Sequence, residues 1–109
     1  TLAEFGSGNF PLDLVRANHE GNDFFVMANN MLPLMTFDPA TITEFMGKPG
    51  ITAETQTYTE GVPYVARAGS GVIQLDNFND DFLVALQRMP SGNLDLVALS
   101  VARLAIPGR

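Results

Sequence analysis

Asp23-Phe24-Phe25-Val26-Met27-Ala28, entered through His19-Glu20-Gly21-Asn22 and closed by Asn29-Asn30, decides the fold class. The run is too short for a helix and rich in aromatic side chains, so it reads as a central strand covered on both faces. Gly21 tolerates positive φ and Asn22 can bond its own backbone, so the chain reverses just before it. Upstream, Leu12-Asp13-Leu14-Val15-Arg16 alternates, with Leu12 and Leu14 on one face and charges on or near the other, as a half-buried strand does. Downstream, Leu34-Met35-Thr36-Phe37 follows Pro33 and stops at Asp38-Pro39, where proline cannot donate to a ladder. Residues 11–37 therefore predict a three-strand antiparallel meander.

One helical turn is predicted over residues 39–46. Asp38 is a good cap, Pro39 suits the first position, and Ile42, Phe45 and Met46 share a face. Gly47, Pro49 and Gly50 mark its end. From Ile51 to Gly61 threonine alternates with polar residues and large aliphatics are missing, which predicts a solvated edge strand or an ordered loop. Pro63-Tyr64-Val65-Ala66-Arg67 adds a short strand before Gly69-Ser70-Gly71. Val72-Ile73-Gln74-Leu75, a turn over 76–80, and Asp81-Phe82-Leu83-Val84-Ala85-Leu86 then repeat the opening pattern. Pro90-Ser91-Gly92-Asn93 turns the chain into a last strand over 94–101.

The two halves are alike. Asp23-Phe24-Phe25-Val26 matches Asp81-Phe82-Leu83-Val84 at an offset of 58 residues, and Leu12-Asp13-Leu14-Val15 is set against Val72-Ile73-Gln74-Leu75. The expected architecture is all-β: about seven short antiparallel strands in meanders, as blade-like sheets or a small β-sandwich. It forms a single domain over 1–109, with similar three-strand units at about 8–46 and 69–101 joined by the Thr-rich segment 51–61. Any antiparallel meander also gives this pattern.

The first unit carries more particular words: Gly8-Asn9-Phe10-Pro11-Leu12-Asp13-Leu14-Val15, then Gly21-Asn22-Asp23-Phe24-Phe25-Val26-Met27-Ala28-Asn29, then Phe37-Asp38-Pro39-Ala40-Thr41. It resembles a repeat of the YVTN-type beta-propeller family, in which a strand ending in Ala-Asn or Thr-Asn is followed by one closing in Asp-Pro-Ala-Thr. Asn29 stands where such a side chain bonds the backbone as the strand leaves the sheet. The resemblance spans about a third of the chain, and the second half departs from it: Arg88-Met89 replaces the Asn pair and no Asp-Pro follows Leu99. It implies a secreted or periplasmic propeller that binds partners or sits beside a quinone- or haem-dependent enzyme. No haem ligand pair and no quinone-binding set matches, so it implies architecture rather than an activity.

Composition narrows the function classes. The 109 residues are 46% hydrophobic and 17% charged, which is enough apolar content for one packed core. Twelve acids against six bases leave no basic stripe for a phosphate backbone, so no nucleic-acid partner is expected. With no cysteine there is no thiolate nucleophile, thiolate metal site or redox pair, and either side of a membrane is open. Nothing reads as a leader or a spanning helix, so no membrane insertion is expected. The start at Thr1 fits removal of a leader, an artificial start or cleavage from something longer.

Each chemically suggestive residue has a plainer reading. His19, the one imidazole, sits in a turn between strands and is expected in solvent rather than in a triad. Asp76, Asn77, Asn79, Asp80 and Asp81 offer oxygen ligands for calcium, but they lack the ordered spacing and distal Glu of an EF-hand loop, so a hairpin turn is expected. Thr1 as an N-terminal nucleophile has no identifiable base. Gly6-Ser7-Gly8 and Gly69-Ser70-Gly71 carry no P-loop lysine and read as connectors. No acid pair stands out for glycoside chemistry. Met27, Met31, Met35 and Met46 with Phe24, Phe25, Phe37 and Phe45 read as core, with some share in a partner surface. No catalytic residue, cofactor or metal is assigned.

The expected function is a non-catalytic structural or protein-interaction module that associates with a protein partner or with itself. The alternatives are an enzyme subunit whose site a partner completes, and a viral or secreted assembly protein. Two units cannot close a propeller, so the working object is expected to exceed this chain.

Overall fold

In the computed structural model, which describes residues 1–5, 8–50 and 60–106, the chain is all-β with two short helices. The elements are β1 (Ala3–Glu4), β2 (Pro11–His19), β3 (Asn22–Asn29), β4 (Leu34–Phe37), α1 (Pro39–Met46), β5 (Glu60–Gly61), β6 (Val65–Arg67), β7 (Val72–Asn77), β8 (Phe82–Arg88), β9 (Leu94–Ser100) and α2 (Val101–Leu104). They form three antiparallel sheets ordered β2-β3-β4-β6, β7-β8-β9 and β1-β5. Most of the Thr-rich segment, residues 51–59, lies outside the described residues, as do Gly6 and Ser7.

The expected central strand is β3, with Phe24, Val26, Met27 and Ala28 all buried. Its lead-in strand β2 is longer than the alternation predicts, and its buried face is not the leucine face. Leu12 and Leu14 are 42% and 58% exposed, while Ala17 is buried on the side that carries Val15 and Asp13. Asp13 turns inward because its carboxylate has a partner there: Oδ2 accepts from the Leu75 amide at 2.7 Å. Asn77 Nδ2 donates to the Arg16 carbonyl at 2.7 Å, so two side-chain bonds join β2 to β7, the first strands of the two large sheets.

The β2–β3 reversal is a two-residue turn with positive φ at Glu20 (52°) and Gly21 (82°), the mirror-image turn that matches strand twist. Glu20 pays the left-handed penalty for a residue with a Cβ. Glu20→Asn should raise unfolding free energy by about 0.5–1 kcal/mol in urea titrations, because asparagine adopts this region more readily.

The pairing scheme of the two large sheets is the same strand for strand. Pro11 pairs with Asn29 and Asp13 with Ala28 across a bulge, and Val72 pairs with Gln87 and Gln74 with Leu86 across another. Phe25 pairs with Phe37, and Leu83 with Leu99. Asp13 thus corresponds to Gln74, one residue from the alignment read in the sequence. The first sheet also has a fourth strand, β6, whose Val65, Ala66 and Arg67 pair with Thr36, Met35 and Leu34.

One core lies between the two large sheets: Phe24, Val26 and Leu34 from the first, Val72, Leu75 and Leu83 from the second, closed by Val101 and Leu104 of α2. The other covers the far face of the first sheet, where Met27, Met35, Phe37 and Val62 pack with Phe5, Ile42, Phe45 and Tyr64. Phe5 meets Phe37 edge-on, with centroids 5.7 Å apart. α1 lies over this face and begins as expected: Asp38 accepts from the Ala40 amide at 2.9 Å, with Pro39 in the first turn.

Boundaries in the second half differ from expectation, with β8 running over Phe82–Arg88 instead of 81–86. β7 runs on to Asn77, and the turn falls later because Asn79 Oδ1 accepts from both the Asp81 and Phe82 amides at 2.9 Å. The last strand ends at Ser100 instead of 101, since Ser100 Oγ accepts from the Arg103 amide and starts α2.

Candidate functional site

The residues with catalytic or ligand-binding character are spread apart. His19 ends β2, half-exposed, with Glu20 Oε1 3.8 Å from its Nε2. Asp76, Asn77, Asn79, Asp80 and Asp81 are exposed and divide between strand and turn: Asp76 and Asn77 end β7, with the Asn77 carboxamide bound to the Arg16 carbonyl, while Asn79 accepts from the Asp81 and Phe82 amides and shapes the turn. Among the described residues no group of three or more His, Asp or Glu is placed to hold a metal. Thr1 is exposed. Asn29 is 4% exposed: Nδ2 donates to the Pro33 carbonyl at 3.1 Å, and Oδ1 accepts from the Leu32 amide at 2.6 Å. It holds the loop that leaves β3. At the other end of β3, Arg16, Asn18 and Asp23 form a polar cluster beside the β2–β3 turn.

The apolar set divides. Phe24, Met27, Met35 and Phe37 are buried and Phe25 and Phe45 half-buried, while Met31 and Met46 are 62% and 68% exposed. Beneath α1 and β1 an apolar cavity of about 420 Å³ is lined by Leu2, Phe5, Leu14, Phe25, Met27 and Ile42.

The distinctive surface belongs to the second sheet. In β8, Leu83 and Ala85 point into the core, so Phe82, Val84 and Leu86 point away from the first sheet. Their neighbours on β9 are Ser100, Ala98 and Leu96, with Leu94 beside them. Phe82, Leu94 and Leu96 are 41%, 46% and 72% exposed. No described element covers this face, whereas both faces of the first sheet are packed.

β9 is also an open edge, since no described strand pairs with its outer side. Leu94-Asp95-Leu96-Val97-Ala98-Leu99-Ser100 has one charge, no proline and no lysine, which leaves it without the usual guards against pairing with another chain. The edge of the first sheet, β6, is three residues long and ends in Arg67. Between β6 and β9 runs a cleft of about 720 Å³, lined by Ala66, Arg67, Ala98, Ser100, Arg103 and Leu104. Arg67 Nη2 donates to the Ala105 carbonyl at 2.6 Å, and its Nε is buried with no hydrogen-bond partner.

Sequence reading found the apolar strand 94–101 but not its open edge, and it missed the arginine cleft, because pairing partners are set across the whole chain. The visible signal was the lack of basic residues and proline in residues 94–100. Among the described residues no helix is long and apolar enough to cross a membrane. Comparison of the chain with known protein families, with characterised protein sequences and with solved structures found no match.

Proposed function

We propose that the chain is a non-catalytic structural or protein-interaction module, a unit of a larger β-rich, propeller-like assembly. The observation that carries this reading is a correspondence of faces. Phe24, Val26 and Ala28 are the first sheet's contribution to the shared core, and at the offset of 58 their counterparts are Phe82, Val84 and Leu86, the open outer face. Conversely Phe25 and Met27, on the far face of the first sheet, correspond to Leu83 and Ala85, which pack on the first sheet. The two sheets thus meet face to opposite face rather than as mirror partners. A head-to-tail contact of this kind leaves one sticky face and adds further units of the same sense.

The matching bulges in β2 and β7 support treating the sheets as related units. Burying the outer face removes apolar area from water, at about 25 cal/mol per Å². The net charge of −6 opposes association of copies, and salt screens it. Sedimentation velocity should therefore show species above the 11.8 kDa chain, favoured by protein concentration and by salt. Leu96→Asp, at a 72% exposed position, should leave the circular dichroism spectrum unchanged and reduce the average mass toward the monomer. A monomer at every concentration and salt level would count against the reading.

A further inference from the structure

The first sheet has four strands and the second three, although β2-β3-β4 and β7-β8-β9 share one pairing scheme. The place corresponding to β6 lies along the free side of β9, where the arginine cleft opens. We propose that this edge takes a fourth, antiparallel strand from a partner polypeptide: an extended segment with apolar residues on its outer side and a carboxylate toward Arg67 and Arg103. The proposal rests on the interaction-module reading and names the partner's chemistry and its seat.

Three features point to this occupant. The edge is unguarded, so backbone groups along seven residues are open to ladder pairing. The cleft is bounded by β6 on one side and by β9 and α2 on the other, a space suited to a lone strand more than to the edge of a second folded copy. Its lining holds two arginines and no acid, in a chain of net charge −6. A carboxylate on the incoming strand would meet both guanidinium groups, while its other face would continue the Leu94, Leu96 and Ala98 stripe.

The test is fluorescence anisotropy with a labelled, end-blocked peptide, Thr-Val-Thr-Val-Glu-Val-Thr, and the intact chain diluted to where sedimentation shows monomer. Saturable binding is expected, at least tenfold weaker when the Glu is replaced by Lys and abolished by a pair of adjacent central prolines, since one of any two neighbouring amides must face β9. Arg103→Gln, at an exposed side chain, should weaken the Glu peptide severalfold and tighten the Lys peptide, whose like-charge repulsion it relieves. No saturable binding, equal binding of the Glu and Lys peptides, or full binding of the Pro peptide would overturn the proposal. So would self-association of the chain that competes with the peptide and shows β9 paired with a second copy. Loss of peptide binding with concentration-dependent assembly intact would overturn the edge proposal alone. The reverse result would overturn the assembly reading.

Discussion

Gly71→Ala should cost about 3–4 kcal/mol and lower Tm by about 15 °C or more in thermal denaturation followed by circular dichroism. Gly71 has φ of +81°, and a Cβ built there meets the Arg88 carbonyl well inside van der Waals contact. The neighbour is backbone that cannot step aside, because the same two residues are tied by the Arg88 amide donating to the Gly71 carbonyl at 2.7 Å. Left-handed strain and a backbone clash therefore add. The damage falls where β7 enters its bulge, so it should loosen the contact between the two large sheets. Gly92→Ala is the matched control: its φ is also positive, at +93°, but a Cβ there meets nothing within 4 Å. It should cost only about 1 kcal/mol.

Phe24→Ala should cost about 3–5 kcal/mol in urea denaturation, and Phe82→Ala clearly less. The two phenylalanines follow an aspartate in matching strands, yet Phe24 is 1% exposed and Phe82 41%. Emptying the first leaves a cavity in the core shared by both sheets. Emptying the second removes a side chain already half in water, with little cavity to leave. Equal costs would mean that the outer face is not the open one.

The sequence signals that held were short-range. The run Phe24–Ala28 was readable as a buried strand because no polar residue interrupts it. Asp38-Pro39 was readable as a helix start because both residues act on their immediate neighbours. What depended on distant partners was hidden. Glu60-Gly61 becomes a strand only through Ala3 and Glu4, and the short strand that residues 63–67 do announce gives no sign that it joins the first sheet across the whole α1 excursion. The inward turn of Asp13 contradicts its hydrophilicity until the Leu75 amide is known to lie opposite. α2 was missed because Val101-Ala102-Arg103-Leu104 continues the apolar content of β9, and only the Ser100 hydroxyl breaks the strand. As for the candidate surface, its apolar residues were legible but their exposure was not. Exposure follows from which face of β8 the first sheet occupies.

The central claim is that the outer face of the second sheet is an interface, and thiol accessibility tests it most directly because the chain has no cysteine of its own. Ala98→Cys places one small thiol on that face, and Ala40→Cys places another on the exposed side of α1. Alkylation rates measured from dilute to concentrated protein should fall severalfold at 98 and stay constant at 40. Rates at 98 that do not change with concentration, in step with those at 40, would contradict the account.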